Sequence, residues 1–417
     1  MKKILFPIVL LLLIISCSKD DEGGIITIPT CNTPENIQVS DITSDSAIIS
    51  WEATNTSASY TIEYGVSGFS QGNGTSITNS NTTITLENLA SNTSYDVYIQ
   101  SVCSPTNVSV FSDVTSFTTI APLVATDFLP NLSDFNLFAG DLENLTPSVY
   151  AFEYELNTPL FTDYAHKQRL IVLPPGTSMT YVNDGLPDFP DNTLISKTFY
   201  YNNDERDTSL GKKIIETRIL IKKNGTWEFG NYIWNDSQTE ATLDSSGNGG
   251  TSTFSYIDNS GSTQNLNYEI PTSTQCLQCH NSNDVATPIG PKLRTMNMSN
   301  QLQNMIDQNL LTNLSNPSTV SVLPNWEDTS YSLEERARAY FDVNCAHCHS
   351  PGGDCYPESN LDFRYETSLR DSNITEHGPS IKTRTQSLIQ DYSMPLIGTT
   401  ILHPEGYTLI EDYIDTL

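Results

Sequence analysis

Two five-residue strings, Cys276-Leu-Gln-Cys279-His280 and Cys345-Ala-His-Cys348-His349, constrain this chain more than any other feature, because both read Cys-x-x-Cys-His without a gap. With 8 Cys and 6 His among 417 residues, independent placement yields roughly 0.002 such strings per chain, so a pair is not accidental. The spacing has a physical use. Two thiols one helical turn apart can each form a thioether with a vinyl group on one porphyrin edge, and the residue that follows then faces the iron. Two covalently attached haem c groups are therefore expected on Cys276, Cys279, Cys345 and Cys348, with His280 and His349 as iron ligands. Zinc is the rival occupant of Cys-x-x-Cys pairs, but it does not require a His directly after the second Cys. His347 lies between the cysteines of the second motif and is expected to point away from the iron.

The surroundings of the second motif read as helical. Ser332-Leu-Glu-Glu335 is a capping box, and Leu333, Ala337, Tyr340 and Phe341 fall on one helical face leading to Cys345. Pro404-Glu405 opens a second amphipathic helix, with Leu409, Ile410, Tyr413, Ile414 and Leu417 on one side. Between them stands Met394, and a Met on a loop after the haem motif is similar to the sixth-ligand arrangement of class I cytochromes c. Met394 is accordingly expected as the second iron's distal ligand, and His/Met ligation favours electron transfer over oxygen or peroxide chemistry. For the first iron, Met296 or Met298 is the candidate, or the site is open; Met305 sits on the apolar side of a helix over 301–311 and reads as core. His377 and His403 are further candidates for that iron but read rather as surface or packing residues, His166 reads as a surface residue, and Cys355 is left over without a partner.

The N-terminus sets the compartment. Met1-Lys2-Lys3 and the twelve apolar residues 4–15 suit a secretory signal peptide, being too short for a permanent span. Ile14-Ile15-Ser16-Cys17 resembles a bacterial lipobox, which makes Cys17 the expected lipid anchor, followed by an acidic start and a tether over 18–29. Membrane attachment through that anchor, as an outer-membrane lipoprotein at the cell surface or facing the periplasm, is the expectation. Lys and Arg total 20 against 49 Asp and Glu, a formal charge of −29, which repels phosphate backbones and argues against nucleic acid.

Between 30 and 120, short alternating strands separated by Ser/Asn/Gly stretches predict a β-sandwich. Trp51 and the pair Leu89/Tyr95, placed as in a tyrosine corner, make the segment resemble a fibronectin type III domain, with Cys31 and Cys103 as a disulfide candidate or two free thiols. Residues 121–270 read as a second β-rich domain and a further sandwich, with strands near 169–173, 194–201 and 214–221 and an Asn224-Gly225 hairpin. A first haem-binding segment over 271–325 and a helical cytochrome c-like domain over 326–417 complete a multidomain, mainly β chain.

From about 132 onward, Leu156-Asn-Thr-Pro-Leu-Phe-Thr-Asp-Tyr164, Lys197-Thr-Phe-Tyr-Tyr201, Ile215-Glu-Thr-Arg218, Tyr232-Ile-Trp-Asn-Asp236 and both haem motifs make the chain resemble an uncharacterised family of bacterial diheme c-type cytochromes. That resemblance implies haem binding and electron transfer, with no reaction and no defined redox partner. The competing expectations are a diheme oxidase or peroxidase with an open first haem, and a surface glycan- or protein-binding lipoprotein with accessory haems.

Overall fold

Alternation of apolar and polar residues governs the N-terminal part of the computed structural model, which describes residues 30–53 and 59–417 and divides into units bounded at Pro122 and Leu123. Strands β1 (Glu35–Ser40), β2 (Ala47–Glu52) and β5 (Thr83–Leu86) form one antiparallel sheet. Strands β3 (Ser59–Val66), β4 (Thr75–Asn79), β6 (Ser94–Ser104), β7 (Asn107–Val108) and β8 (Thr115–Thr118) form the other. Because successive side chains in a strand point to opposite faces, Ala47, Ile49 and Trp51 all turn inward, where they meet Tyr60, Ile62, Val97 and Ile99 of the second sheet. Tyr95 Oη accepts a hydrogen bond from the Ala90 N–H at 2.8 Å, the tyrosine corner of such sandwiches. Cys31 and Cys103 are disulfide-bonded, their Cα atoms 5.9 Å apart.

The second unit is organised on one six-stranded antiparallel sheet, in the spatial order β15-β14-β13-β12-β10-β9. Its strands are β9 (Ala151–Glu153), β10 (His166–Val172), β12 (Leu194–Asn202), β13 (Lys212–Lys223), β14 (Thr226–Trp234) and β15 (Ala241–Leu243). The β13–β14 turn is set by Asn224 and Gly225, with φ of 49° and 81°, the two left-handed positions that a type I′ turn demands. Strand β11 (Met179–Thr180) pairs in parallel with β20 (Leu311–Thr312), and β16 (Gly250–Ile257) with β17 (Thr263–Ile270) makes a separate hairpin.

Sequence predicts a second sandwich here, and the structure differs. One face of the sheet, with Leu170, Val172, Leu194, Ile219 and Ile221, is covered by Leu132, Phe135, Leu137 and Leu145 from the preceding irregular segment. The opposite face carries two apolar patches. Ile171, Ile195 and Leu220 pack under helices α2 (Leu293–Met296) and α3 (Gln301–Asp307), whereas Phe199, Tyr201 and Ile215 pack under the β16–β17 hairpin through Tyr256, Leu266 and Tyr268. The apolar residues of both faces are thus buried without a second large sheet, since loops, helices and a hairpin supply the covering side chains.

The helical end begins with α1 (Ser273–Cys279) and a small hairpin, β18 (Asn281–Ser282) with β19 (Val285–Ala286). After α4 (Leu333–Asn344) come α5 (Tyr356–Ser359), α6 (Leu369–Ser372), α7 (Ile374–Thr385) and α8 (Pro404–Ile414). Ala337, Tyr340 and Phe341 of α4 pack on Leu409, Ile410 and Tyr413 of α8 in one core. Full burial of the Phe341 side chain contributes about 1.5–3 kcal/mol by itself. Among the described residues no helix is long and apolar enough to cross a membrane.

Candidate functional site

The first Cys-x-x-Cys-His string is delivered by a short, doubly capped helix. Thr272 Oγ1 accepts from the Gln275 N–H at 3.2 Å while Gln275 Oε1 accepts from the Thr272 N–H at 2.9 Å, which satisfies two otherwise orphaned donors and starts α1 where the motif needs it. Cys276 and Cys279 fall one turn apart, and the His280 N–H closes the helix on the Cys276 carbonyl at 2.9 Å. The His280 ring lies 4.9 Å from Phe229 on the sheet, and its Nδ1 is 2.8 Å from the Thr287 carbonyl. A carbonyl only accepts, so Nδ1 carries the proton and Nε2 keeps its lone pair. Burial, reinforced by the charge of Lys197, holds the imidazole down to about 3, so it is neutral at physiological pH.

The second string follows the same logic with different partners. Helix α4 starts at the Ser332/Glu335 capping box and ends at Cys345, and the His349 N–H bonds back to the Cys345 carbonyl at 2.9 Å. His349 Nδ1 lies 2.9 Å from Ser359 Oγ, and that hydroxyl donates to the Cys355 carbonyl at 2.9 Å. With the serine proton committed, His349 must be the donor, and again Nε2 is left with a lone pair. Burial, then the neighbouring charges of His347 and Arg384, lowers this imidazole to about 4.

The two motifs, 69 residues apart in sequence, meet in space. One ligand atom each from Cys279, His347 and Cys348 lies within 4.8 Å of the others. The Asn283 N–H donates to the Gly352 carbonyl at 2.8 Å, which ties the β18–β19 hairpin to the loop behind the second motif. The Cys279 thiol is held low by hydrogen bonds with Cys348 and His347, against burial, while Cys348 is raised by its hydrogen bonds to Cys279 and Cys355. Burial raises Cys276 and pushes Cys345 up to about 12. His347 therefore turns toward Cys279, and Cys355, without an evident partner in sequence, reaches the Cys348 thiol.

Beside this junction opens a cavity of about 200 Å³, far more than one water requires, lined by Cys279, His347, Lys167, Arg169, Lys197 and Lys292 among others. A smaller one of about 30 Å³ lies beneath Cys276 and His280, walled by Arg218, Phe229 and Asn231. Burial and the neighbouring charges of Arg169 and Arg218 bring Lys197 down to about 7.

The methionines separate clearly. Met394 lies in the irregular segment between α7 and α8, half-buried, its N–H bonded to the Arg384 carbonyl at 2.8 Å. Arg384 is also one of the charges felt at His349. Met296 is fully buried in the core with Leu293, Leu302 and Met305, and neither Met296 nor Met298 lines the two cavities that carry Cys276, Cys279 and His280. His403 is a packing residue, stacked 4.0 Å from Phe161 and bonded to Tyr340 Oη at 2.8 Å, and His166 is paired with Glu205. Cys17 and the tether lie outside the described residues.

The donor set suits covalent haem: thiols one turn apart, a following imidazole with a free Nε2, and cationic walls for an anionic porphyrin. Sequence reasoning missed the approach of Cys279 to Cys348 and the basic wall. The only signal for the wall was the charged residue in the middle of each apolar strand segment, Arg169, Lys197 and Arg218.

Comparison with known proteins covers the N-terminal unit. No curated protein matches the chain. Among solved structures, a computationally redesigned β-sandwich protein is 26% identical, covering 22% of this chain and 97% of its own, with a TM-score of 0.20. The fn3 domain of the human collagen alpha-1(XX) chain is 21% identical over 23% of this chain and 92% of its own, with a TM-score of 0.21. The model of the fibronectin type III domain matches residues 32–118, and together with the buried Trp51 and the Tyr95 corner it identifies that segment as a fibronectin type III domain.

Proposed function

We propose that the chain is a membrane-anchored diheme c-type cytochrome that passes electrons to a redox partner, lipid-anchored through Cys17 in the outer membrane. One haem is assigned to Cys276, Cys279 and His280, the other to Cys345, Cys348 and His349 with Met394 as sixth ligand. The observation that supports this reading is the state of the two histidines. Each has its Nδ1 proton fixed by a neighbouring oxygen and presents an unencumbered, neutral Nε2 beside its cysteine pair. Such outer-sphere bonds orient a ligating imidazole and set its basicity. When bound, haem iron supplies one-electron ferric/ferrous cycling; the protein's part is to hold the ring nitrogens, shield them and set the local charge. The helical fold over 333–417, with α4 crossing α8 next to the motif, supports the cytochrome c-like assignment.

A second reading has one specific observation in its favour. Cys279, His347 and Cys348, with Cys355 adjacent, offer thiolate and imidazole donors close enough to converge on a zinc ion. The two readings use the cysteines differently. A porphyrin takes both cysteines of one motif, whereas zinc takes one from each and leaves Cys276 and Cys345 unused. Mass analysis of full-length protein from a host competent for c-type maturation should find two haem additions. Cys276→Ser should remove a thioether from one of them, and an unmodified mass with bound zinc unaffected by Cys276→Ser would refute the cytochrome reading.

A further inference from the structure

One row of the central sheet is built against its own electrostatics. In register across β10, β12, β13 and β14 stand Arg169, Lys197, Arg218 and Asn231, on the face that meets the haem motifs. The row above it is Ile171, Ile195 and Leu220, and the row below it is Lys167, Phe199 and Glu216. Directly paired cross-strand residues are the closest neighbours in a sheet, and like charges in that position repel. Three successive basic groups at such spacing, with Lys167 diagonal to them, are therefore unfavourable as cations unless something anionic lies over them, and without it the lysines are pushed toward their neutral forms. Phe199 gathers three of the four: Arg218 Cζ is 4.4 Å from its ring centre, and the Lys167 and Lys197 ammonium groups are 5.9 and 6.0 Å away.

The protein's own carboxylates neutralise the row only at Arg218. Glu216, fully buried, is committed to Arg218 and to the Tyr268 hydroxyl. Glu155 reaches Arg169 at 3.2 Å but is 60% exposed, a weak counter-charge. Lys292 and Arg364, on the other wall, are taken by Asp342 and Asp362. Among the described residues the Lys197 ammonium makes no hydrogen bond or ion pair, and the Lys167 ammonium binds only the Leu160 and Ala165 carbonyls. Arg169 is 3% exposed, and its buried Nε lacks a partner, as do both side-chain atoms of Asn231. Buried donors without a partner occur elsewhere in the fold too, but here they stand beside an unpaired ammonium on the wall of a cavity, in a chain of net charge −29, which is the arrangement a ligand would use.

We infer that Lys167, Arg169 and Lys197 form a carboxylate-binding site on the wall of the cavity shared with Cys279. The carboxylate has two available sources, a propionate of a porphyrin attached at Cys279, which rests on the cytochrome reading, or a free small carboxylate, which does not. Either gives the second β-rich region a role: its sheet presents a fixed cationic row to the redox motifs, positioned by strand register rather than by mobile loops.

The test uses the full chain prepared with and without c-type maturation, as parent, Lys197→Met and Lys197→Arg. Each is titrated calorimetrically with sodium succinate against sodium chloride at matched ionic strength. If the occupant is a free carboxylate, the haem-loaded parent binds succinate saturably, Lys197→Met weakens binding about tenfold or more, and Lys197→Arg restores it. If the occupant is a propionate, only the haem-free parent binds succinate. In the loaded protein Lys197→Met then lowers one midpoint potential by about 59 mV or more, a tenfold change in the ferric-to-ferrous ratio. In the haem-free state Lys197→Met should melt no lower than the parent, since it removes a repulsive charge; a collapse of its fold would make Lys197 structural and overturn the inference. Absence of any preference for succinate over chloride in either form, with both midpoints unmoved, would overturn it too. Failure of the chain to acquire haem would refute only the cytochrome reading, because the haem-free titration still decides the site.

Discussion

Gly406 sits where α8 crosses α4, and replacing it with Ala sets two opposed effects against each other. In an exposed helix interior the change would be favourable by about 1 kcal/mol, because Ala loses less backbone freedom than Gly on folding. At this position the added Cβ would fall on the Tyr340 hydroxyl oxygen and 2.6 Å from His403 Nδ1. Both neighbours are held: Tyr340 is 6% exposed and bonded to His403, which is itself stacked on Phe161. Neither ring can rotate away without disturbing the other, and overpacking a closed site of this kind costs about 1–3 kcal/mol. With both neighbours held the clash outweighs the propensity, and Gly406→Ala should destabilise the second unit by up to about 2 kcal/mol in guanidinium unfolding followed by tryptophan fluorescence. The cause can be isolated with Tyr340→Phe, which deletes the nearest of the three crowding atoms: the double variant should recover part of the loss, giving a coupling energy above the about 0.5 kcal/mol of independent sites. A stabilised Gly406→Ala, or strictly additive variants, would refute this account of the α4–α8 crossing.

Further outcomes follow from the same contacts. Ser359→Ala removes the oxygen that accepts from His349 Nδ1, and loss of such an outer-sphere bond should lower retention of the second iron ligand about tenfold or more, read as a spin-state change in the visible spectrum. Met394→Ala should lower the midpoint potential of the second haem and shift its spin state, whereas an unchanged spectrum would exclude Met394 as the ligand. Replacing Cys31 and Cys103 together by Ser opens a loop of sequence separation 72, for which the chain-entropy relation gives a loss of about 4 kcal/mol in the fibronectin unit, measurable as a drop in its denaturation midpoint. His403, buried, has its folded value lowered to about 4, below the 6.5 of an unfolded imidazole. The unfolded chain therefore binds the proton first, so stability is full above about pH 6.5 and falls by about 3 kcal/mol as the pH drops toward 4. In haem-free protein His403→Phe should flatten that part of the profile, and an unchanged slope would show that His403 is not the group responsible.

Local features were legible and long-range ones were not. The Asn224-Gly225 turn, the Ser332/Glu335 box, the Pro404 helix start and the Tyr95 corner each rest on chemistry within a few residues, and each stands where the pattern places it. The second sandwich was misread because an apolar run such as Ile214-Ile-Glu-Thr-Arg-Ile-Leu-Ile221 reports only that both faces of a strand are covered, not by what. Here one face is covered by irregular chain and the other by short helices and a hairpin. Met296 shows the same limit: distance along the chain allows it to be a ligand, but its place among Leu293, Leu302 and Met305 is decided by how α2 and α3 dock on the sheet.

The junction of the two motifs is where these limits matter for function. Each Cys-x-x-Cys-His string alone specifies a self-contained site, so sequence offers no reason for Cys279 to approach Cys348. That approach follows from the tertiary path, through the Asn283–Gly352 bond and through α2 and α3 filling the apolar end of the same sheet face. The cationic row then stands between the apolar patches, next to the only thiols of the second unit that meet across motifs. A sheet that served merely as packing would carry another apolar row there, since replacing Arg169, Lys197 and Arg218 with aliphatic residues would remove repulsion and bury more surface. Keeping charge at that register is costly for stability, and residues that oppose stability in an otherwise consistent sheet mark the part of it that acts on something else.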